Sequence, residues 1–201
     1  MTSISFSGVD GTGKSTQIKR LKFYYCEKGY NVSTYHLFSQ NQTVMSKLHS
    51  SKFGNYVVKS IRNLKNSPIG RLIKLFMRTL NVIIDAFITT IRNNKLKSDI
   101  IIYDRFFYDI LICIIHDYPK YKKPLFTLAS IFPRPDFIII LDAPPQAVIN
   151  RKPEHTLEEA SDYCGLYREL AIKLDVPTIW ALNPPDHVEQ EIINRLEGHI
   201  A

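Results

Sequence analysis

The stretch Gly8-Val-Asp-Gly-Thr-Gly-Lys14-Ser15 constrains this chain more than any other. It fits the pattern of Gly, four residues, Gly, Lys and Ser or Thr, a loop whose backbone amides cradle phosphate groups. Such a loop works only between a strand and a helix. Residues 4–7 form a short run fit for a buried strand, and residues 14–28 carry a helical pattern closed by Gly29. Amides and the positive end of the helix would then converge on one phosphate cluster. Glycine is needed where a side chain would block the approach of a polyphosphate. Lys14 is expected to reach the β- and γ-phosphates, and the Ser15 hydroxyl to ligate magnesium.

The remaining strands extend the same architecture. Residues 100–103 and 137–141 are short apolar runs flanked by polar or turn residues, and residues 32–38 and 177–181 are weaker candidates. Helical patterns separate all five. The best of these cover 156–174, opened by Thr156, and 186–196, opened by Asp186 and closed by Gly198. Alternation of this kind predicts an α/β fold with a five-stranded parallel sheet and helices on both faces. The 201 residues suit one domain, and 45% hydrophobic with 22% charged residues excludes a disordered or fibrous chain. Cys26, Cys113 and Cys164 are odd in number and lack the spacing of a zinc site, so reduced thiols and a cytoplasmic setting are expected. Residue 1 leads into a strand pattern with no visible signal peptide.

The net charge of +7 is unevenly distributed. Residues 45–97 hold eleven Lys or Arg and one acid, whereas ten acids and three basic residues follow from Glu154 onward. A local anionic partner fits this pattern better than a nucleic acid, although a merely solvated basic surface also fits. Within the basic half, residues 69–92 form one helix when placed at 100° per residue. Arg71, Lys74, Arg78, Asn81, Asp85 and Arg92 share a polar stripe, and apolar residues fill the rest. Charge interrupts it too often for a membrane span. An element buried on several sides, its stripe bordering a wet cleft, is the first reading, and a helix lying on a membrane surface the second.

Two further constellations sit at strand ends. Asp104-Arg105 follows residues 100–103, at the carboxyl edge where α/β ligands bind. The acid suits magnesium or an acceptor's proton and the guanidinium suits phosphate oxygens, but a strand-end ion pair has the same composition. Leu141-Asp142-Ala-Pro-Pro145 leads through a short helix into the basic turn Arg151-Lys152-Pro153-Glu154-His155. Arg151 first, and Lys152 second, are candidates to stabilise charge on a transferring phosphoryl group, or are simply cations favoured at a helix end.

These three features, in this order and across nearly the whole chain, resemble the thymidylate kinase family of nucleoside monophosphate kinases. Phe6-Ser-Gly-Val-Asp-Gly-Thr-Gly-Lys-Ser-Thr-Gln17 is similar to that family's phosphate loop, Tyr103-Asp-Arg-Phe106 to its Asp-Arg motif, and Leu141–Pro145 to the strand leading to its lid. The resemblance implies a P-loop kinase fold in a single domain, 1–201, with a helical acceptor-side segment at 39–97 and a lid at 150–157. It implies transfer of the γ-phosphoryl of ATP to a nucleoside monophosphate, dTMP first, with magnesium. Catalysis would rest on Lys14, Asp104, Arg105 and Arg151, and ATP binding on Gly8, Asp10, Gly11, Thr12, Gly13, Lys14, Ser15 and Thr16. The acceptor would be met by Asp10, Phe38, Arg78, Asn81, Asp85 and Arg105, and the metal by Ser15 and Asp104.

The chain departs from the pattern in four places. Ser7 stands where the family commonly has an acid, and Ser39 where a Pro often follows the aromatic matched by Phe38. The acceptor-gripping Arg expected about twenty residues before the Asp-Arg pair would fall on Ile84, so Arg78 serves only if extra residues intervene. The lid is short. These departures keep open two alternatives: a P-loop kinase for another phosphorylated acceptor, such as a phosphosugar or lipid-linked group, and a non-catalytic nucleotide-binding module that meets a membrane or partner. An apolar helix face could also pair with its copy in a homodimer.

Overall fold

A computed structural model describes residues 1–36, 68–93 and 98–197. Five strands form one parallel sheet: β1 (Thr2–Ser7), β2 (Val32–His36), β3 (Ile100–Asp104), β4 (Phe137–Asp142) and β5 (Thr178–Trp180), in the order β2-β3-β1-β4-β5. The helices are α1 (Lys14–Glu27), α2 (Pro68–Asn93), α3 (Phe107–Asp117), α4 (Lys122–Ile131), α5 (Pro145–Arg151), α6 (Leu157–Leu174) and α7 (Pro185–Leu196).

Strand order and the right-handed crossover place the helices. The connection from β1 runs toward β2, whereas those from β2, β3 and β4 run the opposite way. This sets α1 on one face and α2, α3 and α6 on the other. The packing agrees, for α1 meets α7, α2 meets α3, and α3 meets α6. The central strands are covered on both sides, which is why they read as near-continuous apolar runs. Ile4, Phe6, Ile101, Ile102 and Ile140 are fully buried. Truncating such a residue to Ala costs about 2–5 kcal/mol.

The register fixes what reaches the carboxyl edge. Phe6 pairs with Asp104, and His36 pairs with the same Asp104 from the other side. One row therefore crosses β2, β3 and β1 just below the loop that follows β1. At that edge the connections of β1 and β4 part in opposite directions, opening the crevice where open α/β sheets take ligands.

Most expected boundaries lie within one or two residues of those found. Gly29 closes the end of α1 at φ 87°. Asp186 does not open α7 as a cap; Pro184 precedes the helix and Asp186 lies in its first turn. Residues 37 and 38 of the expected second strand, and Gly198, lie outside the described residues. The sequence reading did not delineate α3 or α4. Helix α3, Phe-Tyr-Asp-Ile-Leu-Ile-Cys-Ile-Ile-His-Asp, buries most of its circumference between the sheet, α2, α4 and α6, so no polar stripe reveals its period. Among the described residues no helix is long and apolar enough to cross a membrane.

Candidate active site

After Ser7 the chain turns through Gly8 at φ 143°, Gly11 at φ 94° and Gly13 at φ 90° before α1 begins. A Cβ on Gly8 would stand 2.5 Å from the Leu141 carbonyl oxygen, and one on Gly11 2.8 Å from that of Val148. The loop is thus seated against the backbone of β4 and α5 closely enough that only hydrogen fits. At Gly13 such a Cβ meets nothing within 4 Å, so the left-handed torsion alone favours glycine there. Thr12 pins the turn from inside, its hydroxyl donating to the Val9 carbonyl at 2.8 Å.

Lys14 is buried beneath this loop. Its ammonium donates to the carbonyls of Gly8 at 2.8 Å and Val9 at 3.0 Å, and lies 3.4 Å from Asp10 Oδ1. Burial pushes its pKa below the ordinary value; Asp109 opposes that shift, and Arg105 adds to it. Asp10 gathers cations: the Arg105 guanidinium donates to Oδ1, and Lys152 lies 3.8 Å from Oδ2. Burial alone would raise the Asp10 carboxyl. The Arg105 hydrogen bond and the charges of Lys14, Arg105 and Lys152 outweigh it and hold the group below its ordinary value.

The Asp-Arg pair meets this loop across the same rim. Arg105 adopts φ 68°, a left-handed torsion rare outside glycine, and its N–H donates to the Phe6 carbonyl at 3.0 Å. Asp104 faces His36, whose Nδ1 lies 3.0 Å from the Asp104 carbonyl oxygen and 3.5 Å from its Oδ2.

Helix α5 brings in the basic turn. Arg151 donates to the Ala181 carbonyl, just past β5, at 3.1 Å. Lys152 spans Asp10 and Glu154, the latter at 2.9 Å. Thr156 then opens α6: its Oγ1 accepts from the Glu159 N–H at 3.2 Å, while Glu159 Oε2 accepts from the Thr156 N–H at 2.9 Å. This reciprocal cap ends the turn soon after Lys152.

These elements enclose a cleft of about 620 Å³ lined by Asp10, Gly11, Gly13, Lys14, Ser15 and Thr16 together with His36, Asp104, Arg105, Arg151 and Lys152. Gly8 and Thr12 support it from behind. Arg78 and Asn81 do not line it; Arg78 pairs instead with Asp117 at the end of α3. Phe38 and the side chain of Asp85 lie outside the described residues. Sequence reasoning missed His36, which the register of β2 against β3 exposes, and Asp109, a lone acid in an apolar run.

The cleft brings the cations Lys14, Arg105, Arg151 and Lys152 together with the oxygen donors Ser15, Thr16 and Asp104, a composition that suits a polyphosphate. Among the described residues no group of three or more His, Cys, Asp or Glu is gathered to hold a metal ion. Ser15 and Asp104 both line the cleft, and a hydroxyl and a carboxylate are oxygen donors that fit magnesium, which keeps several waters and shares phosphate oxygens.

A family model described as thymidylate kinase matches residues 6–192. Thymidylate kinase of Thermoanaerobacter sp. (strain X514) is 25% identical over 185 residues, covering 85% of this chain and 82% of that protein. A probable thymidylate kinase of Methanosphaera stadtmanae is 25% identical over 200 residues, covering 96% of each. Thymidylate kinase of Maridesulfovibrio salexigens is 28% identical over 159 residues, covering 78% of this chain and 68% of that protein.

Proposed function

The chain belongs to the thymidylate kinase family of P-loop kinases, and from that premise we propose that it transfers the γ-phosphoryl group of ATP to the phosphate of dTMP. The observation that carries this reading is the meeting of Lys14, Asp10 and Arg105 on one rim, at the mouth of a loop shaped for phosphate.

In the reaction an oxygen of the acceptor phosphate attacks Pγ, the bond from Pγ to the bridging β-oxygen breaks, and ADP departs. The loop amides and Lys14 hold the β- and γ-phosphates. Arg105, positioned by Asp10, grips oxygens between donor and acceptor. Of the two cations at the end of α5, Lys152 covers the transferring group and Arg151 holds ATP, and we place the lid at 150–157 and the acceptor-side segment at 39–97. The acceptor phosphate is anionic near neutral pH and attacks without a base, so Asp104 is assigned to the metal side with Ser15. Magnesium, when bound there, would neutralise charge on the phosphate oxygens. Positioning and charge neutralisation supply the acceleration.

The test is ADP release with ATP and a panel of nucleoside monophosphates. Rapid release with dTMP and slow release with the other members is the expected result. One observation favours a second reading: Arg78 pairs with Asp117 and is not among the residues that line the cleft. Silence across the panel, with release on a phosphosugar or lipid-linked phosphate, would select a P-loop kinase for that acceptor.

A further inference from the structure

Asp109 is fully buried, yet no step above uses it. Its Oδ2 accepts from the Ser7 hydroxyl at 2.7 Å and from the Phe106 N–H at 2.9 Å, and its Oδ1 accepts from the Tyr167 hydroxyl at 2.8 Å. Ser7 is the last residue before the phosphate loop. Phe106 directly follows Arg105, and Tyr167 lies on α6, the helix that follows the lid. One carboxyl group therefore joins three elements that must act together.

Arg105 is where this matters. A left-handed arginine persists only where its surroundings over-determine it. The peptide before it is fixed by the Arg105 N–H on the Phe6 carbonyl, and the peptide after it by the Phe106 N–H on Asp109. The return bond from the Asp109 N–H to the Phe106 carbonyl, at 3.0 Å, closes the turn. A carboxylate offers about four acceptor sites and can serve three donors at once, whereas the amide of an Asn offers one oxygen.

We propose that Asp109 is a positioning residue, a buried clamp that holds the Arg105 turn against the root of the phosphate loop and the helix behind the lid. The proposal rests on the reading that Arg105 works on phosphate. Asp109 touches no substrate and acts through Arg105.

The experiment compares Asp109→Asn, Asp109→Ser and the exchange Ser7→Asp/Asp109→Ser, which conserves the volume and charge of the touching pair. The first readout, on free ¹⁵N-labelled protein, is the Arg105 guanidinium signal, identified by its loss in Arg105→Lys. The second is the kcat against KM split for ATP. Both single variants should move the Arg105 signal into the exposed-arginine cluster and lower kcat at least about tenfold, with KM for ATP changed less than about threefold. The exchange should restore the signal and most of kcat. A folded single variant that keeps the Arg105 signal overturns the proposal. So does an exchange that recovers the melting temperature without the signal, since packing alone would explain that. If Asp109→Ser does not fold, the isosteric Asn variant and the exchange decide in the same way. A wild-type chain silent on every nucleoside monophosphate would defeat the functional reading, while the Arg105 signal would still decide the role of Asp109.

Discussion

The Arg105 guanidinium donates to the Asp10 carboxyl, tying the turn after β3 to the loop after β1. Two segments ninety-five residues apart are thereby joined at the point where phosphate chemistry would occur. This pair, with Lys14 and Lys152 nearby, holds the Asp10 carboxyl below its ordinary value of 3.8. A depressed carboxyl contributes stability above its unfolded pKa and loses it as pH falls through the folded value. At neutral pH, Asp10→Asn should therefore lower stability by about 1 kcal/mol, a modest figure because the pair is partly solvated. Urea midpoints of the two proteins should converge as pH falls below the ordinary carboxyl value of 3.8 and on through the depressed folded value. A difference that stays constant throughout that acid range would show that the charge contributes nothing.

Lys14 brings the only ammonium within the loop itself. Lys14→Ala should reduce kcat by about a hundred- to a thousandfold, the range for losing one preorganised charge at the reacting group. Far-UV circular dichroism should be unchanged. Full ADP release by that variant would overturn the assignment of this loop.

Gly11 and Gly13 share a left-handed torsion but differ in surroundings. Gly13→Ala meets open space and should cost about 1 kcal/mol, the torsional penalty alone. Gly11→Ala also drives a methyl into the Val148 carbonyl, so its cost should be roughly 2–4 kcal/mol, and ATP affinity should fall with it. Melting curves and ATP titrations on both variants would show equal losses only if the contact with α5 were unimportant.

The two cations at the end of α5 should separate kinetically. Lys152 stands over Asp10, whereas Arg151 reaches toward the Ala181 carbonyl beyond β5. Lys152→Ala should lower kcat by about tenfold, and Arg151→Ala should chiefly raise KM for ATP. Equal effects on kcat from both would assign the two side chains a common task.

Much of this arrangement was legible in the chain because a few positions carry strong local rules. Gly8, Gly13 and Lys14 fall at the spacing of a phosphate loop, set between a strand and a helix as such a loop requires, and the apolar runs around Phe6, Ile102 and Ile140 announce covered strands. Thr156 marks the start of a helix by its residue type. Other features depend on register or on burial from several sides, which a linear pattern does not encode. His36 matters because β2 pairs residue for residue with β3. Asp109 sits in a helix whose surroundings conceal its period. Arg78 has the charge to grip a phosphate, but the placement of α2 beside α3 gives it to Asp117. Asp186 has the chemistry of a cap, and Pro184-Pro185 takes the helix start one residue earlier.

The torsion at Arg105 has an evolutionary corollary. Glycine would relax that backbone by about 1–2 kcal/mol but forfeit the pair with Asp10, worth about 1 kcal/mol, so heat resistance alone gives the arginine little hold on this position. What keeps it there is the need for a guanidinium at this rim. Laboratory evolution should accordingly let position 105 drift where only stability is selected, and leave Arg105 intact wherever growth depends on the reaction.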